Sequence, residues 1–180
     1  MKVLILGGSK SGKSDFSQEI ALKLADGGKR YYVAPLMPVD KEDDAIVESH
    51  LERRAGMGFE TVEQGTHLLQ CLEQVDRKGT FMVDSVTTLL ANELYPVEKN
   101  YELDEAAADR CVMDLLQFAD EVEHVIFVVD NLFFDAVHYS YEMDTFRRYL
   151  GTICCKLAAV CDLVLEMSFG NLMIHKGEMP

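Results

Sequence analysis

The sequence predicts an α/β protein built on an open, mostly parallel sheet covered by helices, and three observations carry that reading. A complete G-x-x-x-x-G-K-[ST] phosphate-binding loop, GGSKSGKS at residues 7–14, directly follows the apolar run MKVLIL. Further short apolar runs alternate with helical patterns along the chain. Several of these runs are continuously apolar, as expected of parallel strands buried on both faces.

Taken in order, Lys2–Leu6 reads as a strand, and Lys13–Asp26 as the helix that opens behind the glycines. Tyr31–Ala34 reads as the second strand. A helical pattern at about Asp43–Arg54 lies within KEDDAIVESHLERR (residues 41–54), which begins acidic and ends basic, so the helix dipole favours both ends of a helix here. Phe81–Asp84 predicts a strand and Val86–Leu94 a helix. Asp104 is placed to cap a helix running to Glu121. Val125–Asp130 reads as a strand, Asp144–Val160 as a helix and Leu163–Met167 as a strand. Leu172–His175, after Gly170-Asn171, predicts an antiparallel edge hairpin at the C-terminal end. Alternating strands and helices imply right-handed crossovers. No repeat, low-complexity tract or linker interrupts residues 1–180, which are expected to form a single nucleotide-binding domain.

With 180 residues and 48% apolar composition, the chain can build a substantial core. The formal charge of −14 argues against nucleic acid or an anionic membrane as partner, because both reward clustered Lys and Arg. No apolar run reaches the roughly 18 residues of a membrane span, and the N-terminus has no signal-peptide pattern. Five cysteines without a C-x-x-C pair read as reduced thiols, with adjacent Cys154 and Cys155 as helix packing residues. A cytoplasmic protein is expected.

The phosphate loop has known mechanics. Gly7, Gly8, Ser9, Lys10, Ser11 and Gly12 would wrap backbone N–H groups around a phosphate, with Gly7 and Gly12 allowing a path that a Cβ would obstruct. Lys13 would reach the β- and γ-phosphates, and the Ser14 hydroxyl would hold Mg²⁺. The following helix presents its positive end to the same phosphates. In a parallel sheet ligands sit beyond the carboxyl ends of the strands, which nominates Gly7–Ser14, Pro35–Glu42, Asp84–Thr88 and Asp130–Asp135 as one site. Asp84 ends a strand where phosphate-loop enzymes place the acid of the Mg²⁺ shell; the alternative is an ordinary strand-end Asp capping the next helix. Asp130 has the same placement and is an equal rival. His50 stands beside Arg53 and Arg54 in a chain short of positive charge. On chemistry alone this is either a phosphoryl-type nucleophile with its anchors or a solvated helix carrying one His. His67, His124, His138 and His175 are scattered singly without metal-ligand spacing.

GGSKSGKS, YYVAP, SHLERR, TVE, VDSVTTLLAN and FRRYLG occur in that order. In this ordered set the chain resembles the bifunctional adenosylcobinamide kinase/adenosylcobinamide-phosphate guanylyltransferase family of cobalamin biosynthesis. The resemblance spans nearly the whole chain. It implies a RecA-like P-loop NTPase fold, a homotrimer, GTP (or ATP) with Mg²⁺, and a corrinoid substrate, adenosylcobinamide. It also implies two reactions: phosphorylation of the aminopropanol hydroxyl, then GMP transfer from GTP through a guanylylated histidine. That histidine corresponds to His50, followed by nucleotide contacts on Leu51, Glu52, Arg53 and Arg54. The segment after the second strand corresponds to Ala34, Pro35 and Leu36, the acid of T-x-E to Glu63, and the strand-end acid to Asp84. Lys13 joins His50 as a catalytic residue, and Ser14 and Asp84 would be the metal ligands.

The chain departs from the family pattern after its fourth predicted strand. Where the family usually carries N-E-V-G, this sequence has Asp130, Asn131, Leu132 and Phe133. An asparagine of the last long helix corresponds to Cys154. An amide at 131 brings a metal no negative charge and cannot serve as a base in place of a carboxylate. Two other functions are therefore kept beside the bifunctional enzyme: a P-loop kinase or NTPase acting on another small acceptor, and a non-catalytic nucleotide-binding relative.

Overall fold

A computed structural model of the chain describes residues 1–37, 54–135 and 137–180. The predicted helix over Asp43–Arg54 therefore lies outside the described residues, except for Arg54.

Seven strands form a sheet in the order β3-β2-β4-β5-β1-β6-β7. They are β1 (Lys2–Gly7), β2 (Arg30–Ala34), β3 (Phe59–Glu63), β4 (Thr80–Asp84), β5 (His124–Asp130), β6 (Leu163–Ser168) and β7 (Asn171–Lys176). Every pairing is parallel except that of β6 with β7, which forms the expected antiparallel edge hairpin. The described helices are α1 (Lys13–Ala25), α2 (Val86–Leu94), α3 (Glu105–Glu121) and α4 (Tyr141–Val160). Among the described residues, no helix is long and apolar enough to cross a membrane.

The continuous apolar runs have the predicted cause, because successive residues of each central strand feed opposite faces. Leu4, Tyr31, Val33, Phe81, Val83, Phe127 and Val129 join one core with side chains of α2, α3 and α4. Val3, Ile5, Tyr32, Met82, Ile126 and Val128 join a second core with Ile20 and Ala21 of α1. Three helix starts are capped by side chains. Asp104 accepts the Ala107 N–H at 3.1 Å, as the sequence predicts. Ser85 accepts from Thr88 at 3.2 Å, and Ser140 starts α4 a turn earlier than the apolar pattern indicates.

One strand is absent from the sequence reading. β3, FETVE, carries no strand pattern of its own, and only its TVE enters the family resemblance, through Glu63. It pairs in parallel with β2 at the sheet edge, where among the described residues β2 is its one neighbouring strand. It has no continuous apolar run because its side chains are exposed or only half-buried.

Candidate active site at the carboxyl ends of the strands

Parallel register places the loops after β1, β2, β4 and β5 on one edge of the sheet. Gly7 stands opposite Asp130, Val33 opposite Val83, and Asp84 opposite Val128. The segments nominated from sequence are therefore neighbours, with 38–42 outside the described residues.

The phosphate loop is formed. Gly7 runs so close to β6 and to its own loop that an added Cβ would lie 2.5 Å from Ser11 Oγ and 2.9 Å from the Met167 carbonyl oxygen. Gly12 has φ +90°, a conformation L side chains rarely adopt, and Lys10 is left-handed at φ 57°. The Ser11 N–H donates to the Gly8 carbonyl at 3.2 Å, and α1 begins at Lys13. The Lys13 side chain folds back over the loop, its ammonium 3.2 Å from the Gly8 carbonyl and 2.6 Å from Asp130 Oδ1. Lys13 is buried and Ser14 half-buried, while Gly8, Ser9 and Lys10 are exposed around the mouth. The buried Ser11 Oγ has no hydrogen-bond partner among the described residues, an uncompensated polar atom inside the loop.

The structure separates the two rival acids. Asp130 is drawn to Lys13 across the β1–β5 pair. Asp84 lies one strand further along, and the Tyr32 hydroxyl donates to its Oδ2 at 3.1 Å. Ser85, not Asp84, caps α2, so the capping alternative for Asp84 fails. Burial, with the Asp84 charge second, holds the Tyr32 hydroxyl protonated far above its ordinary range.

Arg54 belongs to this group. It is 7% exposed, and its guanidinium carbon lies 3.4 Å from the centroid of the Tyr32 ring. Nη2 is 3.5 Å from Thr61 Oγ1, at the limit of a hydrogen bond, and buried Nη1 has no hydrogen-bond partner among the described residues. Burial lowers its pKa, opposed by Tyr32 and Asp84. A buried guanidinium with a spare N–H group suits a phosphate oxygen.

Among the remaining expected contacts, Ala34 ends β2, buried Pro35 follows it, and half-buried Leu36 comes next. Glu63 is exposed and stands opposite Ala34 in the register. His50, Leu51, Glu52 and Arg53 lie outside the described residues.

Tyr32 and Asn92 carry no distinguishing signal in the sequence, whereas Thr87, Asn131 and Phe133 lie in the segments nominated above. Tyr32, within YYVAP, reads there only as a strand residue. Asn92, within VTTLLAN, donates to the carbonyls of Pro35 at 2.8 Å and Gly65 at 2.9 Å, tying the loops after β2 and β3 together. Thr87 Oγ1 accepts the Asp130 N–H at 2.8 Å and holds the end of β5. Asn131 Oδ1 accepts the N–H of Phe133 at 3.2 Å, so this amide turns back into its own loop. Phe133 packs on the apolar core beside Gly151, which gives the bulky residue a structural role.

The oxygen donors of Ser14 and Asp84 are of the hard kind that Mg²⁺ takes, and Mg²⁺ typically uses one or two protein ligands with phosphate and water completing its shell.

The fold is shared with proteins of little sequence similarity. The flagellar accessory protein FlaH from Methanocaldococcus jannaschii is 14% identical with a TM-score of 0.54, over 99% of this chain and 79% of that one. The RadB recombinase is 18% identical with a TM-score of 0.51, over 99% and 82%. A protein from Pyrococcus horikoshii OT3 is 11% identical with a TM-score of 0.54, over 98% and 86%. These likenesses establish a RecA-like P-loop fold. No curated protein matches the chain at a significant level. The family model described as cobinamide kinase / cobinamide phosphate guanyltransferase matches residues 3–174. The chain accordingly belongs to the cobinamide kinase / cobinamide phosphate guanyltransferase family.

Proposed function

We propose that the protein phosphorylates the aminopropanol hydroxyl of adenosylcobinamide and then transfers GMP from GTP to the resulting phosphate through a guanylylated His50. Kinase and nucleotidyltransferase activity in cobalamin biosynthesis is the activity of its family. The observation that carries the reading is this family match over 172 residues (3 to 174 inclusive), joined to a formed phosphate loop. In the proposed mechanism the loop amides and Lys13 hold the β- and γ-phosphates, and α1 adds its positive end. The imidazole of His50 attacks the α-phosphorus of GTP, pyrophosphate leaves, and the phosphoramidate passes GMP to the acceptor phosphate. Arg54 and Arg53 offset the charge on the departing phosphates. Bound by Ser14 and Asp84, Mg²⁺ would neutralise phosphate charge.

Several supports are structural. Arg54, the last residue of SHLERR, is buried over Tyr32 beside Asp84 with an N–H group to spare, which brings the end of the His50 segment to the phosphate edge of the sheet. Ala34, Pro35, Leu36 and Glu63 stand at the adjacent strand ends, where we assign them nucleotide contacts. We assign GTP to the guanylylation and GTP or ATP to the kinase step. A homotrimer is proposed as well, supported by the exposed apolar side chains Leu172, Met173 and Ile174 on the edge strand β7. The free cysteines fit a cytoplasmic location.

The test is covalent labelling. Incubation with Mg²⁺ and GTP labelled at the α-phosphate should leave acid-labile label on the denatured protein, and His50→Ala should remove it. Label that persists in His50→Ala refutes the assigned nucleophile. Absence of label with nucleotide bound moves the reading to a kinase acting on another acceptor, or to a catalytically silent relative.

A further inference from the structure

Asp130 is a carboxylate at the phosphate end of the site for which the guanylyl-transfer mechanism has no use. Its Oδ1 lies 2.6 Å from Lys13 Nζ, the group that reaches the β- and γ-phosphates. Any γ-phosphate gripped by Lys13 is thus within a few ångströms of this carboxylate. The backbone there is fixed on both sides: the Asp130 N–H donates to Thr87 Oγ1 at 2.8 Å, and the Asn131 N–H donates to the Gly7 carbonyl at 2.9 Å. The side chain is 31% exposed, so an acceptor can approach it, whereas the Lys13 side chain is 9% exposed. Its neighbour Asn131 is spent on its own turn and cannot accept a proton as a carboxylate does. Asp84, the other strand-end acid, is engaged by Tyr32 on the far side of β4 from Asp130.

We propose that Asp130 is the catalytic base of the phosphoryl-transfer step, receiving the proton of the acceptor hydroxyl. In that step the hydroxyl oxygen bonds to the γ-phosphorus, the bond from the γ-phosphorus to the β,γ-bridging oxygen breaks, and the nucleoside diphosphate leaves. The hydroxyl proton passes to the Asp130 carboxylate and from there to solvent. Protein kinases use an aspartate in the same chemical role. Lys13 holds the carboxylate in place before nucleotide binds and is shared with the phosphates afterwards. The guanylyl step is different, because its acceptor is already a phosphate anion with no proton to remove. Asp130 therefore discriminates between the two reactions of one chain. The assignment rests on the proposed kinase reading, since it requires an alcohol acceptor.

The experiment compares full-length wild type, Asp130→Asn and Asp130→Glu. Transfer of the γ-phosphoryl group to adenosylcobinamide is measured beside GMP transfer to separately supplied adenosylcobinamide phosphate, with nucleotide affinity by calorimetry. Asp130→Asn should lose roughly 100-fold or more in kcat of the kinase step. GMP transfer should fall far less, and nucleotide should bind no more weakly, because a negative charge beside Lys13 has been removed. Asp130→Glu should recover part of the kinase rate. A kinase rate in Asp130→Asn near that of wild type, or an equal fall in both transfers, overturns the base assignment and leaves the proposed function standing. Wild type that transfers no phosphoryl group to adenosylcobinamide overturns the kinase reading and the base together.

Discussion

Arg54 lies across the ring of Tyr32 at 3.4 Å, and the hydroxyl of that ring donates to Asp84. A residue of the SHLERR segment and the acid assigned to the metal shell are thus joined through one buried tyrosine. Removing the hydroxyl takes this hydrogen bond from Asp84 Oδ2 while keeping the ring under Arg54. Tyr32→Phe should therefore raise the Mg²⁺ concentration needed for half-maximal GMP transfer by about tenfold, as for lost outer-shell partners of metal ligands. It should change the melting temperature little. An unaltered Mg²⁺ titration would show that Tyr32 only supports the core.

The phosphate loop makes a paired prediction about Gly7 and Lys13. Gly7→Ala places a methyl group 2.9 Å from a backbone oxygen of β6, which cannot swing aside as a side chain can. Lys13→Ala removes a charge-assisted contact worth about 1.5–3 kcal/mol, or roughly ten- to hundredfold in affinity. Both variants should bind nucleotide at least tenfold more weakly by calorimetry. Full affinity in Lys13→Ala would mean that the ammonium remains with Asp130 and never serves the phosphates.

Thiol reactivity should follow burial. Cys71 and Cys161 are buried, and loss of hydration pushes both thiols up to about 12. Half-buried Cys154 is also raised to about 12 by burial, whereas Cys155 is exposed. The sequence reading of Cys154 and Cys155 as a packing pair is therefore right only for Cys154, which packs against the core. A raised pKa leaves less thiolate at any given pH below it, so alkylation slows. At pH 8 an alkylating reagent should modify Cys155 first and Cys71, Cys111 and Cys161 only after denaturant is added, as read by mass spectrometry. Early modification of Cys111 would contradict the packing of α3.

The core offers a stability test remote from the site. Phe118 of α3 meets Phe81 of β4 edge-on with centroids 5.4 Å apart, and Tyr31 stacks on Phe81 at 4.9 Å. Phe118→Ala should cost about 3–5 kcal/mol in urea unfolding, and Phe118→Leu clearly less. A cost under about 1 kcal/mol would mean that the helix face is less tightly held than its complete burial indicates.

Much of the molecule is legible in the chain itself. Continuous apolar runs announce strands covered on both faces, because a central parallel strand has no wet side. The glycines of GGSKSGKS announce a loop geometry that Gly7 and Gly12 adopt, through close approach in one case and positive φ in the other. Asp104 announces a helix start, since its side chain is right for the unpaired N–H groups of a first turn. These are local properties, decided within a few residues of chain.

Tertiary structure decided what depends on strands far apart in sequence. β3 has no signature because an edge strand is not required to be apolar, and its place beside β2 is set by pairing. Asp84 and Asp130 are equivalent as strand ends in the sequence. They differ because β4 neighbours β2, which brings Tyr32, while β5 neighbours β1, which brings Lys13. Likewise Asn92 looks like an ordinary helix residue, and Thr87 has no stated role within its nominated segment, until the sheet order sets α2 against the loops they fasten. The sequence by itself determined the fold class, the phosphate loop and the family. Only the packed sheet decided which acid meets the tyrosine and which meets the lysine, because strand order is a property of the whole chain.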